Sequence, residues 1–235
     1  ARERMEAYLA EPAGVEHVER VARTKLAAAG ADPDSWDSMD ERTRHTFLAA
    51  FFAGGHDVIV GRRHFTDDAV DTSALAASGT LGVAEHRAYM HLAIHAMQSL
   101  YEANRWVRYV AVFQNWLRPA GASFDHLHKQ LVGIDERGVT SQLELQKVRV
   151  NPNLYNEMAV DYAAYQGLLV ASNEHAVAFA GFGHRYPTLE VYSTSAMPEP
   201  WLMSREEVDA VADLVHALHA ATGADVPSNE EWHHK

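Results

Sequence analysis

The stretch richest in reactive side chains runs Phe113-Gln-Asn-Trp-Leu-Arg-Pro-Ala-Gly-Ala-Ser-Phe-Asp-His-Leu-His-Lys-Gln130. Read as a strand from Phe124 to Ile134, it sets His126, His128 and Gln130 on one face, because side chains alternate along extended chain. Three polar groups in a row on one face of a core strand are costly to bury without partners. A loop holding Asn115, Gly121 and Ser123 comes just before them, and its small residues and amide or hydroxyl donors would let a phosphate approach the backbone. An imidazole can attack phosphorus when its other ring nitrogen donates to a fixed acceptor, which presents the free lone pair. Gln130 would then donate its amide to a phosphoryl oxygen and share the charge that develops there. Glutamine supplies no proton, so the pattern suits a leaving group that departs as a stable anion. A third histidine in its place would suit hydrolysis with a poorer leaving group. Arg118 and Lys129 flank the constellation and could attract nucleotide phosphates or serve as plain surface charge.

This arrangement resembles a known family. His126-Leu-His-Lys-Gln130 is similar to the His-Pro-His-x-Gln signature of the galactose-1-phosphate uridylyltransferases, within the histidine-triad superfamily. That family also has an aromatic-x-Asn, a glycine six residues after the Asn and a serine two further on, and Phe113, Asn115, Gly121 and Ser123 keep that spacing. Gly55-His-Asp-Val-Ile-Val60 followed by His64 resembles its Gly-x-His-Glu-Val strand, which leads to a metal-binding histidine. The likeness covers roughly residues 54 to 233 and is weak beyond 140. Leu127 stands for the usual Pro, Lys129 for a small residue and Phe124-Asp125 for a common Asn-Pro, the pattern of a divergent relative.

The resemblance implies a role for each matched residue. His128 would be the nucleophile that takes up a uridylyl group, with Gln130, Ser123, Gly121 and Asn115 around the phosphates. His126 and His64 would be two ligands of a structural zinc whose other ligands are usually a Cys-x-x-Cys pair. His233 resembles the first histidine of a second metal site, an iron site in some members. No organic cofactor is implied. The substrates would be a nucleotide-sugar and a sugar 1-phosphate, and the enzyme would be a cytoplasmic homodimer. Within the same superfamily, a dinucleoside polyphosphate phosphorylase or adenylyltransferase is the alternative. A non-catalytic nucleotide- or metal-binding descendant is the contrasting class, and retention of both His128 and Gln130 argues against it.

The remaining sequence must position these groups. Its 235 residues are 47% hydrophobic and 22% charged, enough for a sizeable core and too ordered in composition for wholesale disorder. A formal charge of −12 is the wrong sign for a nucleic-acid binder, and no apolar run is long enough to span a membrane. The absence of cysteine excludes disulfides, thiol nucleophiles and thiolate zinc sites within this stretch. The chain begins with Ala1 and stops at Trp232-His233-His234-Lys235, so it reads as a fragment at both ends.

Residues 1–53 read as helices, with Val15, Val18, Ala22 and Leu26 in one run and Phe47, Leu48, Phe51 and Phe52 in the next. Beyond Gly55 the texture becomes α+β: a strand at 56–60, a helix from Gly82 to about Asn104, then strands at 107–115 and 124–134. His91 and His95 on that helix are spaced like a metal pair but lie off its apolar stripe, which favours a solvated face; Met90 and Met97 read as core. Strands at 176–180 and 189–193 precede a helix opened by the capping box Ser204-Arg-Glu-Glu207. Strand, loop and helix thus occur twice. The expected architecture is a histidine-triad-like antiparallel sheet with packed helices, built as two related units at 54–150 and 151–235 behind the helical segment. An internal duplication explains the echo; chance is the alternative.

Overall fold

The computed structural model describes residues 2–52, 55–71 and 73–234. They divide into two units, 1–55 and 56–235. The boundary expected at residues 53/54 lies outside the described residues, as do the side chains of Phe51 and Phe52. The first unit is helical: α1 (Arg2–Leu9), α2 (Pro12–Ala28), α3 (Ser35–Ser38) and α4 (Glu41–Phe52). Pro12 starts α2, where its missing N–H costs nothing. The three- and four-residue spacing of Val18, Ala22 and Leu26 buries one face of that helix. Ala22 and Leu26 meet Trp36 of α3, with Phe47 and Leu48 of α4 closing the cluster.

The second unit runs β1 (His56–Val60), α5 (Val83–Ala103), β2 (Tyr109–Trp116), β3 (His128–Ile134), α6 (Val139–Val150), α7 (Tyr162–Tyr165), β4 (Leu169–Ser172), β5 (Ala176–Ala180), β6 (Leu189–Ser193), α8 (Arg205–Thr222) and β7 (Ser228–Trp232). It is α+β, as expected, with two antiparallel sheets ordered β1-β3-β2-β7 and β4-β5-β6. α5 covers one face of the first sheet, where Ala96, Met97 and Leu100 pack on Val110, Val112 and Leu131. Each large aliphatic side chain buried there is worth about 1.5–3 kcal/mol. Met90 and Met97 are both core. α8 covers the second sheet through Leu214 on Ala176 and Ala178. It opens on the anticipated capping box, with Ser204 Oγ accepting from the Glu207 amide at 3.2 Å and Glu207 accepting from the Ser204 amide at 2.7 Å.

The two helices are also joined directly. Arg87 of α5 donates to Asp213 of α8 at 2.7 Å, and His91 lies 2.8 Å from Asp209. His91 is therefore engaged across the helix pair, while His95 is exposed. The turn Ser78–Thr80 presses on α8 so closely that a Cβ on Gly79 would lie 2.4 Å from the Ala220 nitrogen, so only glycine fits there. β7 follows α8 in the chain, yet it leaves the second sheet and pairs with β2 of the first. β3 begins at His128 rather than at Phe124, and residues 123–126 form a bent approach to it.

Candidate active site

β3 is bonded on both sides, with Val60 opposite His128 and Val58 opposite Gln130 on β1, and Phe113 opposite Gln130 on β2. Residues directly opposed in an antiparallel sheet share a face. His128 and Gln130 therefore lie with Val58, Val60, Phe113 and Asn115 on the face away from α5, joined by Asn229 and Glu231 of β7. Val58 and Val60 are about half exposed, so this face is open along the β1 edge.

On that face the His128 ring is fixed in two ways. Its Nδ1 lies 2.7 Å from the His126 carbonyl, which can only accept, so Nδ1 carries the proton and Nε2 keeps its lone pair. Phe124 stacks on the ring, with centroids 4.1 Å apart and planes at 21°. Two residues along, the half-buried Gln130 amide has no side-chain hydrogen bond among the described residues and is free to donate.

Asn115 is locked to the loop that follows it. Its Oδ1 accepts from Asn229 Nδ2 at 2.7 Å, and the same Asn229 amide reaches the Ala120 carbonyl at 2.8 Å. Two left-handed residues shape the loop. Gly121 has φ +91°, and Leu117 has φ +66°, a conformation costing about 1–3 kcal/mol in a residue with a Cβ. Ser123 and Arg118 are both exposed near this turn.

The expected metal ligands separate into two places. His64 and His126 are brought together, with ring centroids 4.6 Å apart. Nε2 of His126 faces the Gly61 carbonyl at 2.7 Å and so carries a proton there. Among the described residues, no three His, Cys, Asp or Glu groups are arranged to hold one ion. The pair by itself does not fit a tetrahedral zinc site, which needs four ligands. His233 follows β7, at the opposite edge of the sheet from β1, and is exposed beside Glu231. Its neighbour His234 is the packed one, 2.8 Å from the Tyr101 hydroxyl and stacked on Tyr109.

Lys129, expected beside the substrate phosphates, requires correction. Alternation turns it to the face opposite His128, where it is 0% exposed and its Nζ lies 2.5 Å from Glu230 and 3.2 Å from Gln114. Glu230 also accepts from Trp232 Nε1 at 2.5 Å and faces His219 Nε2 at 2.8 Å. Burial alone would raise the Glu230 carboxyl, but Lys129 and the His219 hydrogen bond pull it well below the usual carboxylate range. Sequence reasoning missed Asn229, Glu230 and the stacked Phe124. No local signal marked the first two, because Ser228-Asn-Glu-Glu-Trp232 is polar up to its last residue and has no apolar–polar alternation.

Residues 1–235 match the family described as Domain of unknown function (DUF4921). The chain belongs to the DUF4921 family. No curated protein matches the sequence. Among solved structures, a uridylyltransferase mutant is similar at 19% identity and a TM-score of 0.60, over 77% of this chain and 60% of that one. An ADP-glucose phosphorylase from Arabidopsis thaliana with bound ADP-glucose is similar at 14% identity and a TM-score of 0.61, over 76% of this chain and 56% of that one. A GalT-like protein from Arabidopsis thaliana gives 14% and 0.56, over 75% and 66%. The chain spans little more than half the length of the first two. The likeness read from the motif is borne out at the level of fold: this DUF4921 chain has the uridylyltransferase-like fold.

Proposed function

We propose that the chain transfers a nucleotidyl group through a covalent adduct on His128, in the manner of a UDP-glucose:hexose-1-phosphate uridylyltransferase. The observation that carries this reading is the Nδ1–H bond from His128 to the His126 carbonyl, which leaves the Nε2 lone pair on the face that bears the unpartnered Gln130 amide. Nε2 attacks the α-phosphorus of a nucleotide-sugar. The bond from phosphorus to the bridging oxygen breaks, and the sugar 1-phosphate leaves as an anion that needs no proton. Gln130 donates to the phosphoryl oxygen as charge builds. In the second half, a phosphate oxygen of another sugar 1-phosphate attacks the same phosphorus, the P–N bond breaks and the imidazole is restored. One difficult transfer becomes two easier displacements with ping-pong kinetics.

The fold shared with an ADP-glucose phosphorylase supports a second reading of the acceptor alone, in which inorganic phosphate takes the group from the same adduct. No step is routed through a metal here, since among the described residues His64 and His126 find no third ligand beside them. Intact-mass measurement after separate incubation with UDP-glucose, ADP-glucose and a diadenosine polyphosphate tests the reading. One nucleoside monophosphate should add and map to His128, and His128→Asn should abolish it. An adduct that persists in His128→Asn, or maps to His126, overturns the mechanism.

A further inference from the structure

His128 is 2% exposed. The residue is thus covered by its neighbours almost completely, and a tetrahedral phosphate needs one of them to move before it can engage the ring. The imidazole itself is held, because swinging it would break the 2.7 Å bond from Nδ1 to the His126 carbonyl. Phe124 is the neighbour that can yield. It stacks on the imidazole but is itself 47% exposed, so turning its ring away gives up little buried apolar area. Its segment is anchored at one end by the His126 side chain on the Gly61 carbonyl, but its main chain is loosely tied. The Ala122 amide bonds to Leu117 and the Leu127 carbonyl accepts from Gly61. Between them, no main-chain amide of residues 123–126 donates to another main-chain group among the described residues.

We propose that Phe124 is a shutter over the nucleophile. Its ring covers His128 in the free chain, and a bound ligand displaces it. While the ring is closed, the free imidazole is kept from stray electrophiles until a ligand binds. The protective purpose rests on reading His128 as the nucleophile, whereas the covering itself is a matter of geometry that can be tested without nucleotide. Phe124 is thus a positioning residue, touching the reacting imidazole and gating access to it.

Diethyl pyrocarbonate carbethoxylates accessible imidazoles, and peptide mapping by mass spectrometry reads each histidine separately. In the full chain without nucleotide, His128 should react more slowly than the exposed His95. Phe124→Ala should speed His128 about tenfold, the scale of releasing a weak local closure, while Phe124→Tyr leaves it slow. His95 and the core residue His86 should keep their rates, which reports an intact fold. Should Phe124→Ala expose His86, Phe124→Leu is read instead: faster His128 with His86 still protected supports the shutter, and an unchanged rate overturns it. Equal His128 rates in wild type and Phe124→Ala, or a wild-type His128 as fast as His95, also overturn it. Adduct formation with UDP-glucose is scored in parallel. Its absence in wild type counts against nucleotidyl transfer alone, and the shutter still stands or falls on the carbethoxylation rates.

Discussion

Lys129 on β3 and Glu230 on β7 meet at 2.5 Å across β2, which lies between their strands, in a part of the core where Lys129 has no solvent exposure. Gln114 of β2 sits under the junction and accepts from Lys129 at 3.2 Å. The lysine is flanked by His128 and Gln130, and the glutamate by Asn229 and Glu231. One buried ion pair therefore ties together, from below, two of the four strands that make up the open face.

Breaking such a pair costs more than the pair is worth, because a charge is left buried without its partner. Lys129→Met should destabilise the chain by about 3–5 kcal/mol. Adding Glu230→Gln, which removes the orphaned charge and still accepts from Trp232, should recover most of that loss. Denaturant unfolding of both single variants and the double variant measures the coupling. Strict additivity would show that the two residues do not stabilise each other.

Beside this pair is a buried histidine, tilted against the His216 ring, that makes no side-chain hydrogen bond among the described residues. His86 is 0% exposed, and neither ring nitrogen has a hydrogen bond among the described residues. Burial, aided by the nearby Lys129 charge and opposed by Glu230, pushes its pKa from 6.5 down to about 3, with His216 and His219 also facing it. The folded value is depressed, so the unfolded chain binds the proton first as pH falls. Stability tied to this group is full above about pH 6.5 and declines below it. From pH 7 to pH 5 the loss is about 2 kcal/mol. His86→Leu should flatten that part of the stability curve, as urea titrations at the two pH values would show. An unaltered difference between wild type and variant would mean that His86 titrates normally.

Much of this frame was legible in the sequence because it follows from local periodicity. The strands at 56–60, 176–180 and 189–193 and the helices beginning at 83 and 205 lie where alternation, helical spacing and a capping box set them. The face shared by His128 and Gln130 followed from period two alone. Lys129 was misread because a lysine between two functional residues looks solvent-facing. Its burial depends on Glu230, a hundred residues further along, and no local pattern reports such a partner. β7 escaped notice for a related reason: Ser228–Trp232 is too polar to read as a strand until β2 is there to receive it. Phe124 was visible only as a departure from a family pattern, since stacking on His128 depends on how the bend at 123–126 folds back.

Asn229 offers a test of the loop apart from stability. It is an exposed group holding Asn115 and the Ala120 carbonyl together, so Asn229→Ala should cost under about 1 kcal/mol of folding free energy. With the Asn115 amide held only by its 3.4 Å bond to the Gly121 carbonyl, KM for the nucleotide-sugar should rise about tenfold, equal to 1.4 kcal/mol of binding. Steady-state kinetics with a thermal melt separates the two effects. A KM that stays put while the melting temperature falls would make Asn229 purely structural.

Gln130 is the residue whose loss should damage chemistry without touching the nucleophile. Its amide has no other hydrogen-bonding duty among the described residues, and the fixing of His128 by the His126 carbonyl does not involve it. Gln130→Ala should therefore leave the fold, the tautomer of His128 and much of the nucleotide affinity intact. What it removes is one donor aimed at the phosphoryl oxygen, worth about 10²–10³ in rate. Because both half-reactions pass through similar charge at phosphorus, formation of the adduct and its transfer to acceptor should slow together. Gln130→Glu should be worse, since a carboxylate in that place repels the same oxygen. Rapid-quench measurement of adduct formation and decay resolves the two steps. A Gln130→Ala chain that forms its adduct within a few-fold of the wild-type rate would remove Gln130 from the mechanism, and with it the reason for choosing an anionic leaving group.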